Sequence, residues 1–376
     1  MRKASRMLFL VLVLALAPVM AFGQANVSTV TQTGDLNDAV VSQTGNANVA
    51  TTTQVGDENS ATQTQSEAGI TNTATISQFG NGNTAGQNQI NGESNLAEIF
   101  QGVDPISGNL NSALQTQDGG ELNRAKITQF GDSNIAAQMQ VGGLSNEAEI
   151  RQDSRGTVDG QNDAYQEQLS TYPGAALNSA LIDQVGEKNV AKQYQDGISN
   201  IAEIFQTGTL NYAKQEQWGE FNHGTITQTG DGNSATQKQD GGSNLATVTQ
   251  DGWDNIAVQE QISGPNYATI YQEGGANQAY QQHQAGYDNH ATINQYGGAN
   301  YAKQNQDCAV SALAEIIQSG TFNHAEQTQF EAVGTQAFAN QSGCCNQSFQ
   351  YQSGLLHIST VTQTGMNNYA NVYQND

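Results

Sequence analysis

The fold is decided by the stretch Gln184-Val-Gly186-Glu-Lys-Asn189-Val-Ala191-Lys-Gln193-Tyr-Gln195-Asp-Gly197-Ile-Ser-Asn200-Ile-Ala202-Glu-Ile204-Phe-Gln206. It holds one pattern twice, Q-x-G-x-x-N-x-A-x-x-x, and a third copy opens at Gln206 with Gly208, Asn211 and Ala213 in the same places. The pattern starts at Gln32 and still occupies Gln363, Gly365, Asn368 and Ala370 near the C-terminus. About 29 copies follow one another, an internal repeat of the kind that marks a stacked architecture. Six copies are lengthened or degenerate, near residues 66–69, 102–108, 153–160, 169–175, 307–313 and 330–340. A repeat that absorbs insertions at one place in its unit puts them in loops.

A second order sits on the first. Two residues after each motif Ala the residue alternates between an aliphatic and Gln, from Gln63, Ile76 and Gln87 through Ile204 and Gln215 to Ile316 and Gln327. The alternation holds for 23 consecutive units and fails only in the earliest copies (Val41, Thr52) and the last few. The structural period is therefore 22 residues, made of two halves that face different neighbours.

Parity converts the period into a fold. Asn, Ala, Ile or Gln, and Gln stand two residues apart, so in a β-strand they share one face, and the residues between them face the other way. Gly between strands supplies the positive φ of a tight turn. Each half is thus a short strand and a turn, two halves make one coil, and about 14 coils stack into a parallel β-solenoid on the order of 65–70 Å long. The stacking is of the cross-β, amyloid type, with Gln above Gln and Asn above Asn, so the buried amides bond along their own columns. A helix fits the 11-residue spacing but not the glycines, each of which costs about 1 kcal/mol in a helix interior.

Composition agrees. Gln and Asn supply 49 and 38 of the 376 residues, Gly 40 and Pro only 4. Hydrophobic residues are 36% and charged residues 12% of the chain, against roughly 45–50% and about 25% in ordinary globular proteins. This is too little apolar material for an enzyme with a conventional core, while scarcity of Pro suits sheet ladders. Residues 1–23 read as a secretory signal peptide, with Arg2, Lys3 and Arg6 ahead of a short apolar run and small residues at Ala21-Phe22-Gly23. Residues 24–29 form a short N-terminal segment and 30–376 the tandem repeats. Removing 1–23 takes the formal charge from −23 to −26, which disfavours nucleic acid and anionic lipid. No stretch reads as a membrane span.

The copies Ala202-Glu-Ile204-Phe-Gln206-Thr-Gly208-Thr-Leu-Asn211-Tyr-Ala213 and Gly224-Thr-Ile226-Thr-Gln228-Thr-Gly230-Asp-Gly-Asn233-Ser-Ala235 resemble the curlin repeat of curli, the secreted amyloid fibres of bacterial biofilms. The resemblance covers about residues 30–376. It implies a subunit of an extracellular fibre at the cell surface, serving adhesion and matrix cohesion. Its partners would be other copies of itself, with a second curlin subunit and a dedicated outer-membrane secretion channel. In such a protein function rests on the ladder positions, of which Gln184, Gly186, Asn189, Ala191, Gln195, Gly197, Asn200, Ala202, Ile204, Gln206, Gly208, Asn211 and Ala213 are clean examples. Gln363, Gly365, Asn368 and Ala370 are their C-terminal counterparts.

Nothing in the sequence carries catalytic, cofactor or metal chemistry. His223, His290 and His324 follow a motif Asn and point outward, and His283 and His357 have no His in neighbouring units, so surface decoration is expected of all five. Glu98, Glu149, Glu203 and Glu315 point outward with no two on adjacent coils, which leaves no paired general acid and base. Cys308, Cys344 and Cys345 read as tolerated free thiols, with redox or cross-linking at Cys344-Cys345 as the alternative. The functional rival is a monomeric β-solenoid that binds a surface glycan or ice. Against ice, the outward residues vary between Thr, Glu, Lys and Tyr instead of repeating one type.

Overall fold

The computed structural model describes residues 25–66, 70–102, 109–156, 160–170 and 177–375. The proposed signal peptide and parts of the lengthened copies near 66–69, 102–108, 153–160 and 169–175 lie outside the described residues. Among the described residues thirty strands, numbered in chain order from β1 (Val27–Thr33) to β30 (Tyr369–Asn375), bear out the expected parallel β-solenoid of about 14 two-strand coils. No described residue is helical. The first strand already begins at Val27, inside the segment read as 24–29.

The chain divides into two compact units near Gln166, beside the lengthened copy at 169–175. In the first unit, odd-numbered strands from β1 to β11 (Glu147–Asp153) pair in parallel, each with the next odd one. Even-numbered strands from β2 (Asp38–Gln43) to β10 (Ile135–Val141) do the same. The second unit repeats the scheme from β13 (Ser179–Glu187) and β14 (Val190–Ile198) to β29 (Ile358–Met366) and β30. Like stands beside like: Ala180 pairs with Ala202, Ile182 with Ile204, Gln184 with Gln206 and Gly186 with Gly208.

Between the two sheets of each unit lies a thin core. Both sheets contribute a column of Ala, the odd sheet adds Ile and the even sheet adds Gln. Ala191, Ala202, Ala213 and Ile204 are all fully buried. The alternation in sequence is therefore an aliphatic column facing an amide column. The Ile column supplies what conventional hydrophobic burial there is, at roughly 1.5–3 kcal/mol per side chain.

The turns hold more positive φ than glycine alone signals. Gly208 has φ +119°, and a Cβ there would overlap the carbonyl oxygen of Gly230 in the next coil. Two residues on, the position before each motif Asn is also left-handed: Lys188, Ser199, Leu210 and Phe221 have φ between 54° and 58°. A non-Gly residue there carries a strain of about 1–3 kcal/mol, which the Asn that follows helps to hold. The insertion at 307–313 is a turn between β24 (Tyr301–Asp307) and β25 (Leu313–Thr321), as expected. The one at 330–340 is not a loop. It is taken up inside β26 (His324–Val333) as a bulge after Phe330, with Glu331 at φ 48°. That bulge lets Ala332 pack on Ala309 and Ala312 in the interior, so burial of small side chains keeps the extra residue within the sheet.

Candidate functional site

Most interior ladder Gln side chains use the amide in two directions. Gln184 Nε2 donates to Gln206 Oε1 at 2.8 Å; Gln206 Nε2 donates onward to Gln228 Oε1 at 2.8 Å and across to the Val190 carbonyl at 3.1 Å. In the even sheet Gln195 Nε2 reaches Gln217 Oε1 at 2.9 Å and the Ser179 carbonyl at 3.0 Å. Both N–H groups are thus satisfied in a dry interior, where an unmet donor or acceptor costs about 1–3 kcal/mol. The columns also have a fixed direction: where Gln stands beside Gln, Nε2 donates to the coil that follows in sequence.

The Asn columns run the opposite way and close the turns. Asn211 donates its backbone N–H and its Nδ2 to Asn189 Oδ1 of the preceding coil, both at 3.1 Å. Its Nδ2 also reaches the Gly230 carbonyl of the following coil at 2.8 Å. Asn189 and Asn200 make the matching bonds to the carbonyls of Gly208 and Gly219, at 2.9 and 3.0 Å. Gly186, Gly197 and Gly208 have φ of +116°, +138° and +119°. They bring those carbonyls into reach because no side chain intervenes. Near the C-terminus Gln363 accepts from Gln341 at 2.8 Å and donates to the Gln347 carbonyl at 2.9 Å. Asn368 bonds Asn346 Oδ1 through N–H and Nδ2 at 3.1 and 2.8 Å. Gly365 has φ +102° and Ala370 is half-buried.

Two departures from the ladders were hidden in the sequence. His283 was expected on the surface, but it stands in the outer Gln column of β22 (Gln278–Gln284), between Gln261 and Gln306, and is fully buried. The correction follows from parity: His283 is four residues after Ala279, the place of a ladder Gln. Neither ring nitrogen has a hydrogen-bond partner, and Gln306 Oε1 has lost its donor. Burial, with a small contribution from His290, pushes the His283 imidazole down to about 3.

The second departure is a pair of hydroxyl caps on the inner Gln column of the even sheet. Thr52 Oγ1 donates to Gln63 Oε1 at 2.8 Å at one end. At the other end Gln350 Nε2 donates to Ser359 Oγ at 2.9 Å. Beyond the caps the column becomes Val41 in the first coil and Val372 in the last. The broken alternation at Val41 and Thr52 was the signal for this, and chemistry at the column's end is its reason.

The edge coils are open. Among the described residues β1 and β2 pair on one side only, as do β29 and β30, and β1 and β30 are mostly exposed where interior strands alternate buried and half-buried residues. Unpaired strand edges are templates for another chain.

The outward faces hold ion pairs and stacked rings. Glu98 lies 3.7 Å from Arg124, Glu149 2.9 Å from Lys126 and Glu203 3.6 Å from His223, all on neighbouring strands. Exposed pairs of this kind contribute about 0–1 kcal/mol. Tyr301 stacks on His324, and Tyr351 on Tyr373, at centroid separations of 4.6 and 4.9 Å. Among the described residues no group of three or more His, Cys, Asp or Glu is placed to hold a metal ion, and no helix is long and apolar enough to cross a membrane. Cys308 is free and exposed, as expected. Cys344 and Cys345 are not free thiols: they are joined to each other, because the left-handed turn at Cys345 (φ 60°) brings the adjacent side chains together.

No curated protein matches the chain. Three segments, residues 45–80, 219–252 and 266–297, match the family model of the curlin associated repeat. All three lie within the ladder-bearing coils, and the same Gln, Gly, Asn and Ala columns run through them. These three segments of the chain are thus curlin associated repeats.

Proposed function

We propose that this protein is an exported structural subunit that self-assembles end to end into curli-like extracellular amyloid fibres, giving a bacterial surface adhesion and a cohesive matrix. The observation that carries the proposal is the open edge coil at each end of the strand order, with its Gln and Asn columns ready to continue into another chain. The ladder residues from Gln184 to Ala213 and from Gln363 to Ala370 are the functional positions in this reading, because the bonds that build each coil also add the next chain. Export through a dedicated outer-membrane channel and a second curlin subunit belong to the same reading.

The formal charge of −26 that remains once residues 1–23, with Arg2, Lys3 and Arg6, are removed opposes association until chains are concentrated. Raising ionic strength from about 0.01 to about 0.15 M shortens the screening length from about 30 to about 8 Å, so fibre growth is expected to accelerate. The test follows thioflavin fluorescence of the chain lacking residues 1–23, with and without sonicated seeds, at both ionic strengths. A lag removed by seeds and shortened by salt supports the proposal; a monomer that persists for days with seeds present overturns it.

A further inference from the structure

The first and last coils resemble each other more than either resembles its neighbour. Residues 28–34 and 359–365 are both Ser-Thr-Val-Thr-Gln-Thr-Gly, a heptapeptide found nowhere else in the chain. They occupy equivalent places in β1 and β29. The odd sheet carries Ser at its alanine position only in these two coils, at Ser28 and Ser359. In the even sheet, Val41 and Val372 stand where thirteen or so interior coils carry Gln. Both terminal coils therefore have two inner valines, Val30 with Val41 and Val361 with Val372.

The valines are incompletely covered. Val30 is 37% exposed and Val361 6%, and Val41 and Val372 are half-buried, whereas Ile204 and Gln215 in the interior are at 0% and 1%. The hydroxyl caps at Thr52 and Ser359 finish the inner amide column before it reaches either end. An edge that exposed an unfinished inner column would leave buried amides unmet in any imperfect joint; an edge of valines leaves none.

The outer columns are not capped, and their free groups are complementary. In the first coil Gln32 and Gln43 donate to Gln54 and Gln65, and among the described residues nothing donates to their own Oε1 atoms. In the last coil Gln363 and Gln374 each donate one N–H of Nε2 to a carbonyl, of Gln347 and Ile358, which leaves the second N–H pointing along the column. Asn368 uses its nitrogens on Asn346 and Thr364, leaving Oδ1 open. The partner for that oxygen is an Asn N–H of a following coil, as Asn59 N–H is to Asn37 Oδ1. At the other corner the column has passed from Asn289 to Ala312, Thr335 and His357, so Asn26 meets no amide there.

Resting on the self-assembly reading, we infer that copies join with one polarity and one register: β29 and β30 of one copy lie against β1 and β2 of the next, Val361 on Val30 and Val372 on Val41. Gln363 and Gln374 then donate to Gln32 and Gln43, and Asn37 donates to Asn368. The joint is dry and apolar at its centre with amide bonds outside it. Two identical ends cannot make it, because two first coils present acceptors to acceptors. An interface between unlike ends is heterologous, and repeated along the strand-stacking direction without closing into a ring it produces an open filament.

Cysteine pairs test the register. Thr29 and Thr360 both face outward and would sit side by side at about 4.8 Å, within disulfide range, whereas Thr29 and Thr362 would be about 8 Å apart and outside it. The background is the full chain without residues 1–23 carrying Cys308→Ser, Cys344→Ser and Cys345→Ser, first checked for fibre growth. Fibres of Thr29→Cys with Thr360→Cys, oxidised and dissolved under non-reducing denaturing conditions, are expected to give a ladder of covalent oligomers. Thr29→Cys with Thr362→Cys is expected to lose that ladder, and Thr29→Cys alone to give no dimer. Fibres that form but cross-link better through Thr362, or that yield dimers through Thr29 alone, overturn the register and leave self-assembly standing. A background that forms no fibres while the unsubstituted chain does is replaced by one retaining Cys344 and Cys345, and failure of the unsubstituted chain overturns both readings.

Discussion

Replacing Gln237 with Glu is expected to cost the second unit about 3–5 kcal/mol at neutral pH, the scale of an uncompensated buried charge. Gln237 is 1% exposed. It accepts from Gln215 at 2.8 Å and donates to Gln259 and to the Thr225 carbonyl at 2.9 Å each. A carboxylate has no proton for either acceptor and faces two oxygens across a dry core. A protonated carboxyl recovers one donor, so the folded state holds the proton more tightly than the unfolded chain does, and its pKa is raised. The sign follows: the charge-dependent part of the loss is absent below the unfolded pKa of about 4.3 and grows as pH rises from there towards the folded value, while the one unrecovered donor leaves a smaller cost at every pH. Guanidinium unfolding of parent and variant at pH 4 and pH 7.5 measures it. An equal loss at both pH values would show that the ladder's protons do not matter there.

His283 carries the second large effect, with the opposite pH dependence. Its folded pKa of about 3 lies below the ordinary 6.5. Stability is therefore fully present above pH 6.5 and is lost as pH falls from there towards about 3, while the unfolded chain takes up a proton that the buried ring refuses. Each pH unit in that window is worth about 1.4 kcal/mol, so several kcal/mol are at stake. His283→Gln is expected to remove this acid loss. It also restores the donor to Gln306 Oε1 and the bond from Gln261, worth about 1–3 kcal/mol at neutral pH. Unfolding curves of parent and variant between pH 7 and pH 4 should diverge as pH falls. Parallel curves would mean that the ring reaches solvent and titrates normally.

Much of this was legible because a β-strand has a period of two and the repeat has an odd length of eleven. Ala202, Ile204 and Gln206 must share a face, and the alternation of Ile and Gln then separates the two sheets without knowledge of any contact. What escaped was set by the third dimension. His283 sits at a ladder position, but its neighbour Gln284 disguised the register of the motif. Lys188, Leu210 and Phe221 occupy left-handed turn positions that any side chain can fill once the following Asn holds the turn, so residue type gave no signal. The bulge at Phe330 looked like a loop insertion because sequence does not say that Ala332 has Ala309 and Ala312 to pack against. At the candidate site, the columns were visible in the spacing, whereas the caps at Thr52 and Ser359 required knowing that Thr52 in one sheet faces Gln63 in the other.

End-to-end assembly requires the columns of one chain to continue into the next along the direction in which strands stack. X-ray diffraction from aligned fibres of the chain lacking residues 1–23 tests that directly. The expected result is a sharp reflection at about 4.8 Å along the fibre axis with a broader one at about 10 Å across it. Fibres whose 4.8 Å reflection lies across the axis, or a chain that stays monomeric with its coils folded, would contradict it.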